Sequence, residues 1–415
     1  MDRHYGMDWL RIGAFGLLIF YHVGMVFVTW GFHVKTAHPA DWVAVPMLLT
    51  NAWRLTLLFV VSGYASRALF AKSPGIRSFL GNRHARLIWP LLFGVIAIVP
   101  PQSWVELTTQ HGYTHGFAWF WLHDYFRFGK LDGVILPTWN HLWFVVYLWA
   151  YTLGLALLLA LPGMSRAQAV FDRLFGGLGA LWIPIAWLIV TQMILFHRGE
   201  DTHDLVHDGV AHLAYFPAFL FGFGLAGAPA AMAALARRWM PAAILAVAAY
   251  AVVASVEILY PGLAVPARPT IILFRVAREV QCWASIAALI GIAERFWNRD
   301  HGWRPMLTEA VFPFYLIHQT VIVLVEYWLK PLGIGPVAEF VVLVPATVAG
   351  CWAFYLIGRE IGWLRPLIGL RRGPGRSRKG PAADAGFRTA WSVGAPGPRP
   401  GALPIPGAGY RRRKR

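Results

Sequence analysis

The chain has 415 residues, of which 57% are hydrophobic, 15% aromatic and only 14% charged. Soluble domains carry about 25% charged residues, so this composition excludes a protein surrounded by water. The net charge of +17 is concentrated: 12 of the 37 Lys and Arg, against one of the 20 acidic residues, fall within 371–415.

Apolar runs of about 18 residues or more, long enough to cross a bilayer as helices, recur from the first turns onward. They place ten spans, at 9–31, 43–66, 87–101, 141–161, 178–196, 209–227, 239–260, 271–294, 308–329 and 337–358. This predicts an all-α, polytopic membrane protein with both termini on one side. In the first run Arg11 interrupts the start and no small-residue cleavage site follows, so it reads as a span rather than a secretion signal. Arg11 and His22 stand eleven residues apart. Eleven steps of a helix return to within about 20° of the start, so both groups share one stripe roughly 16 Å long. Ionisable groups at membrane depth are functional candidates by default. A snorkelling Arg11 paired with Asp8, and a hydrogen-bonded core His22, would produce the same spacing.

Arg54 falls in the middle of the second run, too deep to snorkel, and therefore calls for a carboxylate, a cavity or an anionic ligand. Ser62 and Gly63 further along suit close helix packing. At the edge of the third run, "RHARLIWP" sets Arg83 and Arg86 three residues apart on one helix face. That geometry can clamp phosphates or simply anchor a helix end. The aromatic segment over 101–140 is expected to lie along the interface and cover a site. The fourth run opens on "WNHLWF", with His141 at its mouth.

The segment "HRGEDTHDLVHD" offers His197, His203 and His207 among acids, which reads as a solvated loop before a metal site. Gly222, Gly224 and Gly227 match a nucleotide-binding spacing formally; without a preceding strand they read as helix-packing glycines. Arg275, Arg278 and Glu279 in the eighth run read as an internal ion-paired group. The ninth run, "TEAVFPFYLIHQ", carries Glu309, the helix-loosening Pro313 and His318 near mid-depth. Cys282 and Cys351 both lie within predicted spans and read as small packing residues, not a disulfide or a zinc site. The segment 371–415 holds seven prolines and nine glycines. It is expected to be a disordered tail whose "RRRKR" meets anionic lipid headgroups rather than nucleic acid.

With the amino terminus inside, the inward loops carry twelve basic and two acidic residues, the outward loops six basic and eight acidic. The positive-inside bias therefore predicts cytoplasmic termini.

The stretches "MDWLRIGAFGLLIFYHVGMVF", "RLTLLFVVSGYASR", "RHAR", "HLWFVVYL" and "FPFYLIHQT", in that order, resemble the acyltransferase-3 family of integral membrane acyltransferases, closest to its glucan-succinylating branch. The resemblance covers residues 1–370 as one transmembrane domain and leaves out the tail 371–415. It implies a multi-pass protein of the bacterial cytoplasmic membrane. Its implied reaction is transfer of an acyl group, succinyl or acetyl, from cytosolic acyl-CoA to a hydroxyl of an extracytoplasmic glycan, without a metal or a resident cofactor. By the same resemblance His22 stands in the catalytic histidine's place, Arg11 is its motif partner, and Arg83 and Arg86 form the family's Arg-x-x-Arg. Glu309 and His318 fall in a matching segment and join the catalytic candidates; Arg54 and His141 join the substrate-binding ones. The residues alone leave a second class open, a transporter or proton-coupled channel with His22, Arg54 and Glu309 as relay or substrate groups.

Overall fold

In the computed structural model the described residues are 4–194, 202–262 and 264–371. The basic Gly/Pro-rich segment lies, except for Arg371, outside them, as does His197. Without water, every backbone polar group must be satisfied within its own segment, so apolar runs fold as helices. The described residues accordingly form sixteen helices, α1 (Tyr5–Phe27), α2 (Ala44–Asn51), α3 (Arg54–Ala71), α4 (Ile76–Phe93), α5 (Pro100–Gln110), α6 (Phe117–Trp119), α7 (Trp143–Ala160), α8 (Met164–Phe175), α9 (Gly179–Ile194), α10 (Gly209–Leu225), α11 (Pro229–Arg237), α12 (Trp239–Leu259), α13 (Arg268–Phe296), α14 (Arg304–Leu329), α15 (Pro336–Glu360) and α16 (Leu364–Leu367). A two-stranded antiparallel hairpin, β1 (Gly129–Leu131) and β2 (Val134–Leu136), is the only sheet among the described residues.

Among the described residues eight helical segments are long and apolar enough to cross a membrane, or ten if each of two bent pairs forms one span. The pairs are α8 with α9, bent by 95°, and α10 with α11, bent by 105°. Span positions follow the sequence reading, with two corrections. The third was placed at 87–101, but the helical segment runs from Ile76 to Gln110. Pro100 and Pro101 look like terminators in sequence. In the structure a π-helical turn over Gly94–Ile98 passes the chain into α5, where Pro100 takes the first-turn position that tolerates a missing N–H. The second span is also not continuous. It breaks at Ala52–Trp53, so Arg54 begins α3 instead of sitting mid-helix.

Close approach of helices depends on the glycines singled out above. Gly63 of α3 and Gly222 of α10 face each other's backbones: a Cβ on Gly63 would meet the carbonyl oxygen of Phe219, and one on Gly222 that of Val60. At one end of the bundle Arg304, 4% exposed, joins α14 to α1 through Asp8 at 2.8 Å and also holds Asp300 at 2.6 Å. At the other end Lys35 folds back on α1, donating to the carbonyl oxygens of Met25 and Val28 at 2.6 Å each. These two fastenings fix both ends of the helix that carries Arg11 and His22.

Candidate active site

α1 and α14 run side by side and bring His22 against His318, their ring centroids 4.9 Å apart. His318 is fully buried. Its Nδ1 lies 2.7 Å from the Tyr315 carbonyl oxygen, which can only accept, so Nδ1 carries the proton. In the neutral ring Nε2 then bears the lone pair, and this nitrogen lies 3.1 Å from Nδ1 of His22. His22 Nδ1 must therefore be the donor, shared between His318 and the Leu18 carbonyl oxygen at 2.9 Å. Three hydrogen-bond partners thus leave Nε2 of His22 as its basic nitrogen. The orientation of one imidazole by a second follows the triad pattern of nucleophile, base and orienting group.

The third histidine of the cluster, His141, stands just before α7, its ring centroid 5.2 Å from that of His318. Its Nε2 donates to the Leu316 carbonyl oxygen at 3.1 Å and its Nδ1 accepts from Gln102 at 3.4 Å. Tyr315 Oη donates to the His141 carbonyl oxygen at 2.5 Å. With both ring nitrogens engaged, His141 braces α14 and does not turn a free nitrogen to a ligand.

Gln102 is the hub behind this cluster. It donates to Thr320 Oγ1 at 2.7 Å, and its Oε1 accepts from Gln319 at 3.0 Å and from Asn140 at 3.1 Å. Gln319 continues to His33 Nε2 at 2.9 Å, and His33 Nδ1 donates to Glu106 at 2.5 Å. The sequence reading overlooked Gln102, Gln319, His33 and Glu106. A glutamine inside an apolar run, as in "PPQSW", was the available signal for Gln102. His33 and Glu106 sit 73 residues apart, and nothing local links them. The aromatic segment after α5 forms a small core of its own together with the end of α5. Trp104, Tyr113, Phe117 and Trp121 pack on a buried group of Leu107, Phe120, Tyr125 and Leu136. The Tyr113 phenol is held protonated, its ionisation opposed by burial and by the Asp124 carboxylate that it donates to at 2.6 Å.

Arg54 approaches from the other side. Its guanidinium carbon lies 3.2 Å from the Tyr21 ring centroid, beside His22. The residue is 6% exposed, and its Nε and Nη1 have no hydrogen-bond partner. Two unmatched, desolvated donors at the first turn of an 18-residue helix form an anion-directed group. Tyr21 Oη accepts from Asn51 at 2.7 Å, and Asn51 Oδ1 accepts from Arg278 at 2.6 Å. Arg275, Arg278 and Glu279 line a cavity there of about 340 Å³. The charged group expected from sequence to pair internally thus also lines a cavity.

Toward the amino-terminal end of α1, Arg11 meets the positive field of Arg83 and Arg86. Arg83 donates to Ser66 Oγ at 2.7 Å and leaves its buried Nε unmatched, while Arg86 is exposed. Both ends of the stripe from Arg11 to His22 thus face groups of distinct chemistry. Glu309 lies nine residues before His318, about 13 Å along the helix, and approaches Arg365 at 3.8 Å. Of the histidine-rich loop, His203 stacks on Trp143 at 4.1 Å and His207 pairs with Asp204 at 2.8 Å. The Val206 N–H and His207 hold the Asp204 carboxyl below its ordinary range. Asp208 caps α10 through the Ala211 N–H and accepts from Tyr147. These side chains organise a loop.

A membrane bundle of eight to ten candidate spans among the described residues, with a paired His22 and His318 at one depth and an arginine group at another, has a counterpart in sequence. The family described as "Acyltransferase domain" matches residues 4–356. The chain belongs to this acyltransferase-3 family. Among curated proteins it is similar to the glucans biosynthesis protein C of Salmonella enteritidis, Salmonella gallinarum and Salmonella agona, each 27% identical over 150 residues. The aligned part is 35% of this chain and 36% of each relative, so the match spans little more than a third of their length. No solved structure matches the chain.

Proposed function

We propose that the protein is a membrane O-acyltransferase that moves an acyl group from cytosolic acyl-CoA to a hydroxyl of an extracytoplasmic glycan. The observation that carries this reading is the tautomer of His22, whose unprotonated Nε2 is set by His318 and Leu18. In the reaction that basic nitrogen takes the acceptor hydroxyl proton as the oxygen attacks the thioester carbonyl. The tetrahedral oxyanion collapses, the C–S bond breaks, and the CoA thiolate leaves with the proton returned by His22 as CoA thiol. The His22 imidazolium formed in between keeps its Nδ1–H on His318 and Leu18.

Arg54, with two unmatched N–H donors beside His22, supplies the oxyanion contact or holds the carboxylate of a dicarboxylic acyl group. Arg83 and Arg86, with Arg11 behind them, take the phosphates of the donor. The glucan in the relatives' name supports a glucose polymer as the acceptor class.

Purified wild-type protein should release CoA thiol only when both acyl-CoA and a glucose oligosaccharide are present. His22→Ala should lower that rate by about 10²–10⁴-fold, the range that general-base groups contribute. Wild-type rates in His22→Ala, or substrate flux into vesicles without thioester consumption, would overturn the proposal.

A further inference from the structure

The cavity of about 340 Å³ is walled in part by Arg275, Arg278 and Glu279. It falls within the roughly 300–1,000 Å³ range of small-molecule pockets. Arg275, Arg278, Glu257 and Gln192 give it planar hydrogen-bonding groups, and Tyr215 and Tyr260 give it aromatic faces. Paired donors and acceptors suit vicinal hydroxyls, and aromatic faces suit the apolar sides of a sugar ring. The chain Arg278–Asn51–Tyr21 sets the cavity at the depth of His22.

Val256 and Tyr260 are walls both of this chamber and of a second hollow of about 410 Å³ between α12 and α13. Its other walls are Ala251, Val252, Ser255, Leu259, Thr270 and Leu273. The Ser255 hydroxyl is spent on its own helix, donating to the Ala251 carbonyl oxygen at 2.7 Å, so the wall presents hydrocarbon. Val247, Ile258, Leu259 and Leu273 are exposed on this flank, as side chains facing lipid tails would be. A soluble sugar would need the chamber alone. A groove that adjoins it across Val256 and Tyr260, on an apolar flank, fits a ligand with a polar head and a hydrocarbon tail.

We infer that the acceptor subsite is built for a lipid-linked sugar, with the sugar in the chamber and its lipid in the groove between α12 and α13. The inference rests on the proposed acyl transfer for the fate of the sugar, and on the two adjoining cavities for its binding.

The test uses the full chain in nanodiscs and a glucose oligosaccharide in two forms, one bearing a fluorescent alkyl anchor and one soluble. Without acyl donor, the anchored form should bind saturably. Ser255→Trp, which fills the groove from an exposed position, and Ala264→Trp, at the chamber mouth, should each weaken that binding at least about tenfold, as overfilling a packed site does. The soluble form should respond to Ala264→Trp alone. Both variants should keep the wild-type thermal midpoint. Binding unchanged in Ser255→Trp, or displacement by phosphatidylglycerol as effective as by the anchored sugar, would overturn the inference. With acyl-CoA added, Ser255→Trp should raise KM for the anchored acceptor and leave KM for the donor in place. Saturable, variant-sensitive binding without any turnover by the wild-type protein would overturn the acyl-transfer reading and leave the binding site standing.

Discussion

In the proposed reaction His318 is a positioning residue for His22. Its Nε2 accepts from His22 Nδ1 at 3.1 Å, and this contact decides which His22 nitrogen is basic. His318→Leu removes the acceptor and lets the ring turn. We expect kcat to fall by about 10²-fold, the effect of a misplacement on the order of 1 Å, with KM for both substrates little changed. His318→Gln puts an amide oxygen within reach of the same proton and should recover part of the rate. Equal losses in the two variants would show that His318 acts only by filling space. The pairing was not legible in sequence, because 296 residues separate the two rings. Each histidine was visible as an ionisable group in an apolar run. Glu309 was visible on the same grounds, yet helical rise carries it away from the cluster and toward Arg365.

Two elements have consequences of their own. α3 and α10 touch through glycine, and the atoms a Cβ would strike are backbone carbonyls, which cannot rotate away. Gly63→Ala should destabilise the protein by about 1–3 kcal/mol, the usual effect of overpacking, read as a lowered thermal midpoint in detergent. Gly222→Ala strains the same crossing, so the double variant should lose less than the sum of the two. The glycine spacing pointed to helix packing from the start, whereas the partner of each glycine needed the fold. At the end of α1, burial pulls the Lys35 ammonium down from 10.5 to about 8. The folded form thus releases this proton first, and between about pH 8 and 10.5 the unfolded chain binds more protons. Stability contributed here therefore rises with pH through that window. Thermal midpoints of wild type and Lys35→Met, compared below and above about pH 8, should show the rise only in wild type.

At the scale of the molecule, Met1–Arg372 forms one contact unit, and it contains each group assigned to the reaction. Removing residues 373–415 should leave acceptor-dependent CoA release near the wild-type rate, and a loss beyond about tenfold would place the segment in the chemistry. The twelve basic residues in 371–415 carry much of the positive charge of the chain. The deletion removes ten of them, and on the proposal that they meet anionic headgroups it should weaken binding to vesicles rich in anionic lipid, by about 1 kcal/mol per Lys or Arg near the surface.

The sequence by itself determined the all-α membrane architecture, because hydrocarbon leaves apolar chain few ways to satisfy its backbone. It also determined the shared stripe of Arg11 and His22, which is local helical geometry, and the motifs that mark the family. Tertiary structure alone decided which nitrogen of His22 is basic, that His33 and Glu106 back the site through two glutamines, and that Arg278 belongs to a cavity wall. The physical reason is range. Helical phase and hydropathy are read over a few turns, whereas a hydrogen-bonded tautomer or a cavity depends on side chains brought together from helices hundreds of residues apart.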